Sequence, residues 1–195
     1  MYGVMNKYPL KKYPIIGACG LNCGLCPRYH TEGTSRCPGC CGPDFWQKHP
    51  SCGFITCCVK QRNLETCAQC VDWAGCERVA RLMDSAKYHD SFISYRPLAT
   101  NFAFIQEHGI EEFVRLEMEK QKFLRYLIDN YDEGRSKSFY CNSCQLLPLD
   151  KLKEALADAE TKITEDTGIK EKAKIVRVAI SNMADTLKID LKLRK

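Results

Sequence analysis

The stretch Cys19-Gly-Leu-Asn-Cys23-Gly-Leu-Cys26 places three thiols within eight residues, and seven more cysteines follow at short intervals as far as Cys76. Two or three thiols this close on a glycine-rich backbone reach one ion or cluster without help from distant parts of the chain. The thiolate is the form that binds metal, and a bound metal offsets the repulsion between crowded anions. The stretch therefore predicts a metal site around which the N-terminal part folds.

Length and cysteine content limit the class of protein. The chain has 195 residues and 14 cysteines, which suits one domain, or a cysteine-rich metal-binding region over 1–76 followed by a helical region over 77–195. No run reaches about 18 apolar residues, so we expect no membrane span. The segment 1–14 lacks the apolar stretch of a signal peptide, which favours a cytoplasmic location. There, so many thiols indicate metal ligands; a secreted disulfide-rich protein is the alternative.

The net charge of +5 invites a nucleic-acid interpretation, but bound metal would change the balance. Residues 1–76 hold eight Lys or Arg against four Asp or Glu. A four-thiolate site carries about −2 with Zn²⁺ or with an oxidised four-iron cluster, so two such sites cancel that excess. A second basic run covers 170–195, where eight Lys or Arg face three acidic residues. A solvated helix face explains that run better than a nucleic-acid surface does.

The chain changes character near residue 76. Residues 15–76 are rich in Gly and Pro, so we expect a small, metal-organised part made of loops and short strands. Apolar residues then recur with a helical period, which predicts a mainly α-helical C-terminal part. The predicted helices cover 77–88, 97 to the stop signal His108-Gly109, 110–131, 150–164 and the stretch after Gly168.

Ten cysteines form the predicted set of metal ligands. Besides the first motif, pairs at 37/40, 67/70 and 141/144 are separated by two residues. That spacing lets two sulfurs approach one tetrahedral ion while nearby amides donate hydrogen bonds to them. The predicted ligands are Cys19, Cys23, Cys26, Cys37, Cys40, Cys52, Cys57, Cys67, Cys70 and Cys76.

Two patterns point to different metals. The sequence Cys37-Pro-Gly-Cys40-Cys-Gly42 resembles a zinc knuckle, which favours Zn²⁺. The first motif instead concentrates three ligands in one loop, where they could cap three corners of a [4Fe-4S] cluster. The step Cys26-Pro27 is also similar to the cysteine–proline step of ferredoxin motifs. We expect iron–sulfur binding, with Cys19, Cys23 and Cys26 as cluster ligands, and zinc remains the alternative.

Four further cysteines lie outside the predicted set. Cys41 and Cys58 directly follow predicted ligands, and adjacent side chains point apart, so we interpret both as small buried residues. Cys141 and Cys144 lie away from the main set. They could form a redox pair, complete a shared site, or pack between helices.

No catalytic residues can be assigned, and we expect the chain to have no activity of its own. The spacing of the first motif also occurs in radical S-adenosylmethionine enzymes, but the repeated strand–helix units of that class do not follow it. The chain has no phosphate-binding loop, zinc-protease motif or nucleophile elbow. His30 and His49 lie among the cysteines and could replace a thiolate, although packing roles are favoured.

In their order and spacing, the cysteines resemble those of the domain-of-unknown-function family 3795. The resemblance covers about residues 16–76: the first motif as far as Tyr29, then Cys37-Pro-Gly-Cys40, the 52/57 pair, Cys67-Ala-Gln-Cys70 and Cys76. Segments 109–114 and 134–140 are similar to longer members of the family. The resemblance implies a small, cytosolic, metal-binding protein of prokaryotes and implies no particular reaction.

Three functions fit these patterns. The first is an iron–sulfur protein that transfers electrons to a larger redox enzyme or docks on it, or pairs with a second copy of itself. The second is an interaction module stabilised by structural zinc. The third, which the charge balance disfavours, is a nucleic-acid binder that uses the basic C-terminal helix.

Overall fold

The computed structural model describes residues 9–49 and 52–194. The expectation about the first 14 residues therefore falls mostly outside the described part. Six α-helices carry the described chain: α1 (Phe45–Lys48), α2 (Glu77–Ser85), α3 (Leu98–Tyr131), α4 (Lys137–Leu146), α5 (Leu149–Glu160) and α6 (Ile169–Thr186). No described helix is long and apolar enough to cross a membrane.

The cysteine-rich part consists of short turns joined by loops. It contains 3₁₀ turns at Cys23–Leu25, Gly33–Ser35, Cys67–Gln69 and Trp73–Gly75, and a π-helical segment at Ile55–Gln61. The frequent Gly and Pro residues interrupt backbone hydrogen bonding before a longer helix can form. The expected short strands do not form in the described residues, where the pairing of Ile16 with Asn22 is an isolated bridge.

The first hydrophobic core joins the cysteine-rich part to α3. Ile16 and Ile55 are buried against Phe102, Ile105 and other apolar residues of α3. The cysteine-rich part thus has aliphatic and aromatic side chains around it as well as thiols. This core is not evident in the sequence of 15–76 alone, because α3 supplies part of its apolar surface.

A second core lies among the helices at the other end of the molecule. Leu124 and Leu127 of α3 pack with Tyr140 of α4, Leu152 of α5 and Ile180 of α6. The mainly helical C-terminal part is therefore confirmed. The sequence analysis missed α4, because Asn142, Ser143 and Gln145 on this helix are polar yet buried, which hides its apolar period.

Gly109 divides α3 into two helical segments. Its φ of 83° and ψ of 164° are non-helical, and this region of backbone space is essentially restricted to glycine. The predicted stop at His108-Gly109 is therefore present as a kink. Residues on both sides of the kink, from Phe102 to Val114, pack in the first core, and α3 from Phe123 onward packs in the second, so one helix contributes to both cores.

The C-terminal tail crosses back over the helices. The buried carboxylate of Asp90 accepts hydrogen bonds from the guanidinium of Arg194 (2.9 Å), from the backbone N–H of Arg194 (2.8 Å) and from that of Tyr95 (2.7 Å). Arg194 also donates to the carbonyl oxygens of Ala86 and Lys87. The tail thereby fixes the loop between α2 and α3.

We predict that Gly109→Ala lowers the free energy of unfolding by about 1–3 kcal/mol. A Cβ at this position meets no atom within 4 Å, so the cost comes from the backbone conformation alone. Gly75→Ala is the matched control, because Gly75 is equally open and its φ lies outside the positive range. Urea unfolding measures both variants, and equal stabilities would contradict the strained conformation at Gly109.

Replacement of Arg194 by Ala should cost about 2–3 kcal/mol near neutral pH, because it removes charge-assisted hydrogen bonds to a buried carboxylate. Burial alone would raise the pKa of Asp90, but the hydrogen bonds from Arg194 and Tyr95 outweigh it and hold that pKa below the ordinary 3.8. The stabilisation is therefore complete above about pH 4 and is lost as the pH falls through the lowered pKa.

Chemical denaturation at a series of acidic pH values tests this linkage. Stability should fall less steeply below the ordinary pKa of Asp in Arg194→Ala than in the unaltered protein. Arg135→Ala, at an exposed arginine in the α3–α4 turn, should leave the acid dependence unchanged. Parallel acid dependences for the protein and for Arg194→Ala would show that this ion pair does not stabilise the tail.

Candidate metal centre

The first cysteine loop is held in shape by its own backbone and by α3. The N–H of Gly17 donates to the carbonyl of Leu21, and that of Gly20 to the carbonyl of Gly17. Gly20 has a φ of +87°, and a Cβ there would lie 2.5 Å from a ring carbon of Phe102. Only glycine fits at this point, and its use lets the loop pack closely on α3.

Six cysteines from three chain segments line one cavity of about 570 Å³. The first loop contributes three thiols, the second loop two, and the segment before Ile55–Gln61 one. Apolar and aromatic side chains, among them Phe45, Ile55 and Ile93, complete the wall. The six cysteines are Cys19, Cys23, Cys26, Cys37, Cys40 and Cys52.

His49, one of the two histidines that lie among the cysteines in the sequence, lines the same cavity. The Nε2 atom of His49 is 3.4 Å from the Sγ atom of Cys37, and its ring stacks on Phe45 with centroids 4.2 Å apart. Burial lowers the pKa of His49, which favours the neutral imidazole that binds metal. His30 instead donates from Nε2 to the carbonyl of Gly24 at 2.8 Å, a packing role that agrees with the sequence analysis.

Two cations accompany the thiols. Lys11 is only 6% exposed, and its ammonium group donates to the carbonyl of Ile16. Its positive charge opposes the rise that burial causes in the pKa of Cys19 and Cys23, and it contributes to the lowered pKa of Cys40. Arg28 lines the cavity, with its guanidinium 5.0 Å from the ring centroid of Phe92. Buried positive charge beside several thiols stabilises their anionic, metal-binding form.

The pKa is raised for some of the cavity thiols and lowered for another. Burial raises the pKa of Cys19 to about 12, and it also raises the pKa of Cys23 and of Cys26. The pKa of Cys40 is lowered to about 6, first by a hydrogen bond from the side chain of Cys41 and then by Lys11 and the N–H of Ala18. The Ala18 nitrogen is 3.3 Å from that sulfur.

The pair Cys40/Cys41 corrects the expectation that adjacent side chains point apart. Cys41 has a φ of +56°, a left-handed conformation that turns its thiol towards that of Cys40. Cys41 is buried, as expected, but it acts as a hydrogen-bond donor to the neighbouring sulfur. A thiol that donates to a thiolate stabilises that thiolate.

The side chains as placed do not converge on one ion. Over residues 9–49 and 52–194, no group of three or more His, Cys, Asp or Glu side chains is close enough together to hold a single metal ion. All 14 cysteines are free thiols, without disulfide bonds. The six thiols are therefore distributed over the wall of the cavity.

The remaining predicted ligands, Cys57, Cys67, Cys70 and Cys76, do not line this cavity. Arg62 contacts the sulfur of Cys70 at 3.1 Å and forms an ion pair with Asp72 at 2.7 Å, and it also hydrogen-bonds to Cys57. A hydrogen bond with Cys58, together with burial and the nearby charge of Cys76, raises the pKa of Cys67. The predicted set of ten thus separates into six cysteines at the cavity and the group Cys57, Cys67, Cys70 and Cys76.

Cys141 and Cys144 are buried on α4 in the second core. Cys26 packs against the same core, and its charge contributes to the raised pKa of Cys141 after burial and the charge of Cys144. Burial raises the pKa of Cys144 to about 12. Of the three roles considered from sequence, packing between helices matches their burial.

We predict that Lys11→Met makes the protein release bound metal at a higher pH. Without the buried cation the thiol pKa values rise, so protons compete with metal sooner on acidification. A charge a few ångströms away is worth about 1–2 kcal/mol, which corresponds to a shift of about one pH unit. Lys12→Met, at a neighbouring exposed lysine, is the control. An acid titration in which metal release is monitored tests this prediction. Equal midpoints for both variants would contradict the role of Lys11.

Comparison of the chain with protein-family models, with curated proteins and with solved structures found no match. The resemblance to the domain-of-unknown-function family 3795 therefore stays a prediction from the cysteine spacing. The site consists of six thiols, the imidazole of His49 and the guanidinium of Arg28 around a single cavity, with the buried Lys11 close enough to influence its thiols.

Proposed function

We propose that the protein binds an iron–sulfur cluster in the six-cysteine cavity and serves as an electron-transfer or accessory subunit of a larger redox enzyme. The observation that carries this proposal is the gathering of six thiols from three chain segments around about 570 Å³, beside a buried lysine. Thiolates are the ligands of iron–sulfur clusters, and positive charge close by offsets the negative charge of the assembly.

The donor set suits a polynuclear centre better than one ion. A structural zinc site takes four ligands at about 2.0–2.3 Å and leaves no free volume between them. Here six thiols and an imidazole are spread over the wall of a cavity, so the donors exceed what one tetrahedral ion uses. Cys19, Cys23 and Cys26 would hold three corners of a [4Fe-4S] cluster, with Cys37, Cys40 or Cys52 as the fourth ligand.

A bound cluster would accept and store one electron, and the surrounding residues would set its reduction potential. Backbone N–H groups donate to thiol sulfurs, as Ala18 does to Cys40, and such bonds stabilise the more negative, reduced form. Lys11 acts in the same direction. Phe45, Ile55 and Ile93 give the cavity an apolar lining, which would strengthen these electrostatic effects around a bound cluster.

A docking role is supported by the rim of the cavity. Phe92 lines the cavity and is 56% exposed, and Arg28 covers one face of its ring. An exposed aromatic residue with an adjacent arginine is the composition that protein interfaces favour. The proposed partner is a redox protein that covers this rim.

Structural zinc remains a second candidate for the four predicted ligands outside the cavity. Cys57, Cys67, Cys70 and Cys76 are four thiols on short turns, the ligand number of a closed zinc site. Arg62 contacts two of them, Cys57 and Cys70. A zinc ion there would hold the turns that flank the first core.

The basic C-terminal helix, α6, gives little support to nucleic-acid binding. Lys174 lies 3.6 Å from Glu171, and the guanidinium of Arg177 lies over the ring of Phe139 at 5.2 Å. Both cations thus have partners within the protein. A nucleic-acid surface would need them available for phosphate contacts.

We predict that protein purified without air contains iron and acid-labile sulfide and has broad visible absorption from sulfur-to-iron charge transfer. Cys23→Ala should lose the iron, the absorption and the protease resistance of the cysteine-rich part. It should keep most of its helical circular dichroism, because the second core lies among α3–α6.

Cys144→Ala is the control, since it removes a fully buried thiol outside the cavity and should retain iron. Colourless protein with zinc in both groups would reject the cluster in favour of a zinc-stabilised module. A Cys23→Ala variant with unchanged iron content would reject the assigned ligands.

A further inference from the structure

A groove with a mainly apolar wall lies between α2, the first turns of α3 and the C-terminal tail. Its volume is about 670 Å³, which is within the range of small-molecule sites. Of the described residues, Tyr95 alone lines both this groove and the six-cysteine cavity. The groove is therefore a separate site, and the proposed electron-transfer role does not use it.

Small residues on α3 leave the groove open. Ala99 and Ala103 are exposed and lie one turn apart on the same face of the helix, so larger side chains at these positions would fill the space. Trp73 and Met83 stand at the wall, and the Trp73 ring packs edge-on against Phe102 with centroids 5.6 Å apart. An aromatic ring and a flexible thioether together form a surface that adapts to an apolar ligand.

The groove is elongated along the helix axis. Its lining on α3 extends from Leu98 to Gln106, which corresponds to about 12 Å at the rise of an α-helix. At the far end, the side-chain amide of Gln106 donates to the carbonyl of Ala68, so this end presents an amide and no charge. An extended apolar chain matches this shape better than a compact molecule does.

The charged residues lie at the other end of the groove. Among the described residues that line it, all the charged ones are cations: Lys87, Arg96 and Arg194. Arg194 donates to the carbonyls of Ala86 and Lys87, and Arg96 directly precedes the first turn of α3. The N-terminal end of α3 adds the positive end of a helix dipole to this cluster. An anionic group is therefore favoured at this end.

Two of these cations already have carboxylate partners. Lys87 lies 3.0 Å from Asp84, and Arg194 lies 2.9 Å from Asp90. Neither of these carboxylates lines the groove. The positive charges of Lys87 and Arg194 are thus balanced from outside the groove, and no acidic side chain of the described wall would repel an anion.

Arg96 is the cation whose charge is not balanced. Its guanidinium donates to the hydroxyl of Ser94 and to the carbonyl oxygens of Asp190 and Lys192, all of which are neutral groups. Over residues 9–49 and 52–194 it forms no ion pair. A guanidinium has more N–H groups than these bonds use. One unbalanced positive charge beside an apolar groove matches a ligand with a single negative charge.

We propose that this groove binds an amphipathic carboxylic acid, a molecule of the fatty-acid class with an extended apolar chain and one carboxylate. The carboxylate would bind at Arg96, and the chain would lie over the two exposed alanines beside Trp73. The proposal goes beyond the electron-transfer role and does not depend on which metal the cysteines hold.

Calorimetry on the full-length, metal-loaded protein tests the proposal with three probes that share one alkyl chain: decanoate, decanol and decyltrimethylammonium, each below its micelle-forming concentration. Decanoate should bind saturably. Decanol should bind about tenfold or more weakly, because it lacks the charge-assisted hydrogen bond to the guanidinium. The cationic probe should not bind, because it would meet cations at the same end of the groove.

Two pairs of variants locate the site. Ala103→Trp should abolish decanoate binding by filling the groove, whereas Ala157→Trp, at an exposed alanine on α5, should bind normally. Arg96→Gln should weaken binding about tenfold or more, and Arg96→Lys, which keeps the charge, should retain most of the affinity.

Metal content measured on the same samples separates this proposal from the preceding one, since decanoate should bind whether the protein contains iron or zinc. The proposal is overturned if decanoate does not bind saturably, if decanol or the cationic probe binds as tightly, or if Ala103→Trp retains full affinity. Because the three probes are compared on the unaltered protein, they decide the question even if Arg96→Gln fails to fold.

Discussion

The structure depends on how the chain tolerates six thiols around one cavity. Burial favours the protonated thiols of Cys19 and Cys23, because both of their pKa values are raised. Lys11 and the donors to Cys40 act in the opposite direction and stabilise thiolate. The metal centre that we propose would supply positive charge at the centre of this arrangement and would couple metal binding to local folding. Under this proposal, the cavity is the part of the fold whose stability depends most on metal.

Helix α3 provides the frame for that cavity. Its first segment offers Phe102 and Ile105 to the cysteine-rich part, and its second segment organises α4–α6. Gly20 allows the first cysteine loop to lie directly against Phe102. The loop is thus positioned by packing on a regular helix, and its three thiols lie at the wall of one cavity.

The sequence predicts local features well and distant partners poorly. Apolar periodicity locates α3, α5 and α6, and the glycine at 109 marks the break, because these properties depend on neighbouring residues. The spacing of Cys19, Cys23 and Cys26 predicts a common site, and the structure places all three at one cavity. Lys11 and His49 become neighbours of the thiols only through the fold, and nothing in the sequence around Lys11 distinguishes it from Lys12. The burial of polar residues on α4 hides that helix for the same reason.

X-ray absorption at the iron edge of the anaerobically purified protein tests the central claim most directly. A cluster bound by the six-cysteine cavity predicts a first shell of sulfur around iron and a second shell of iron scatterers at short distance. Both shells should disappear in Cys23→Ala and persist in Cys144→Ala. An absorber that is zinc alone, with a single tetrahedral sulfur or sulfur and nitrogen shell and no metal–metal scattering, would contradict the account.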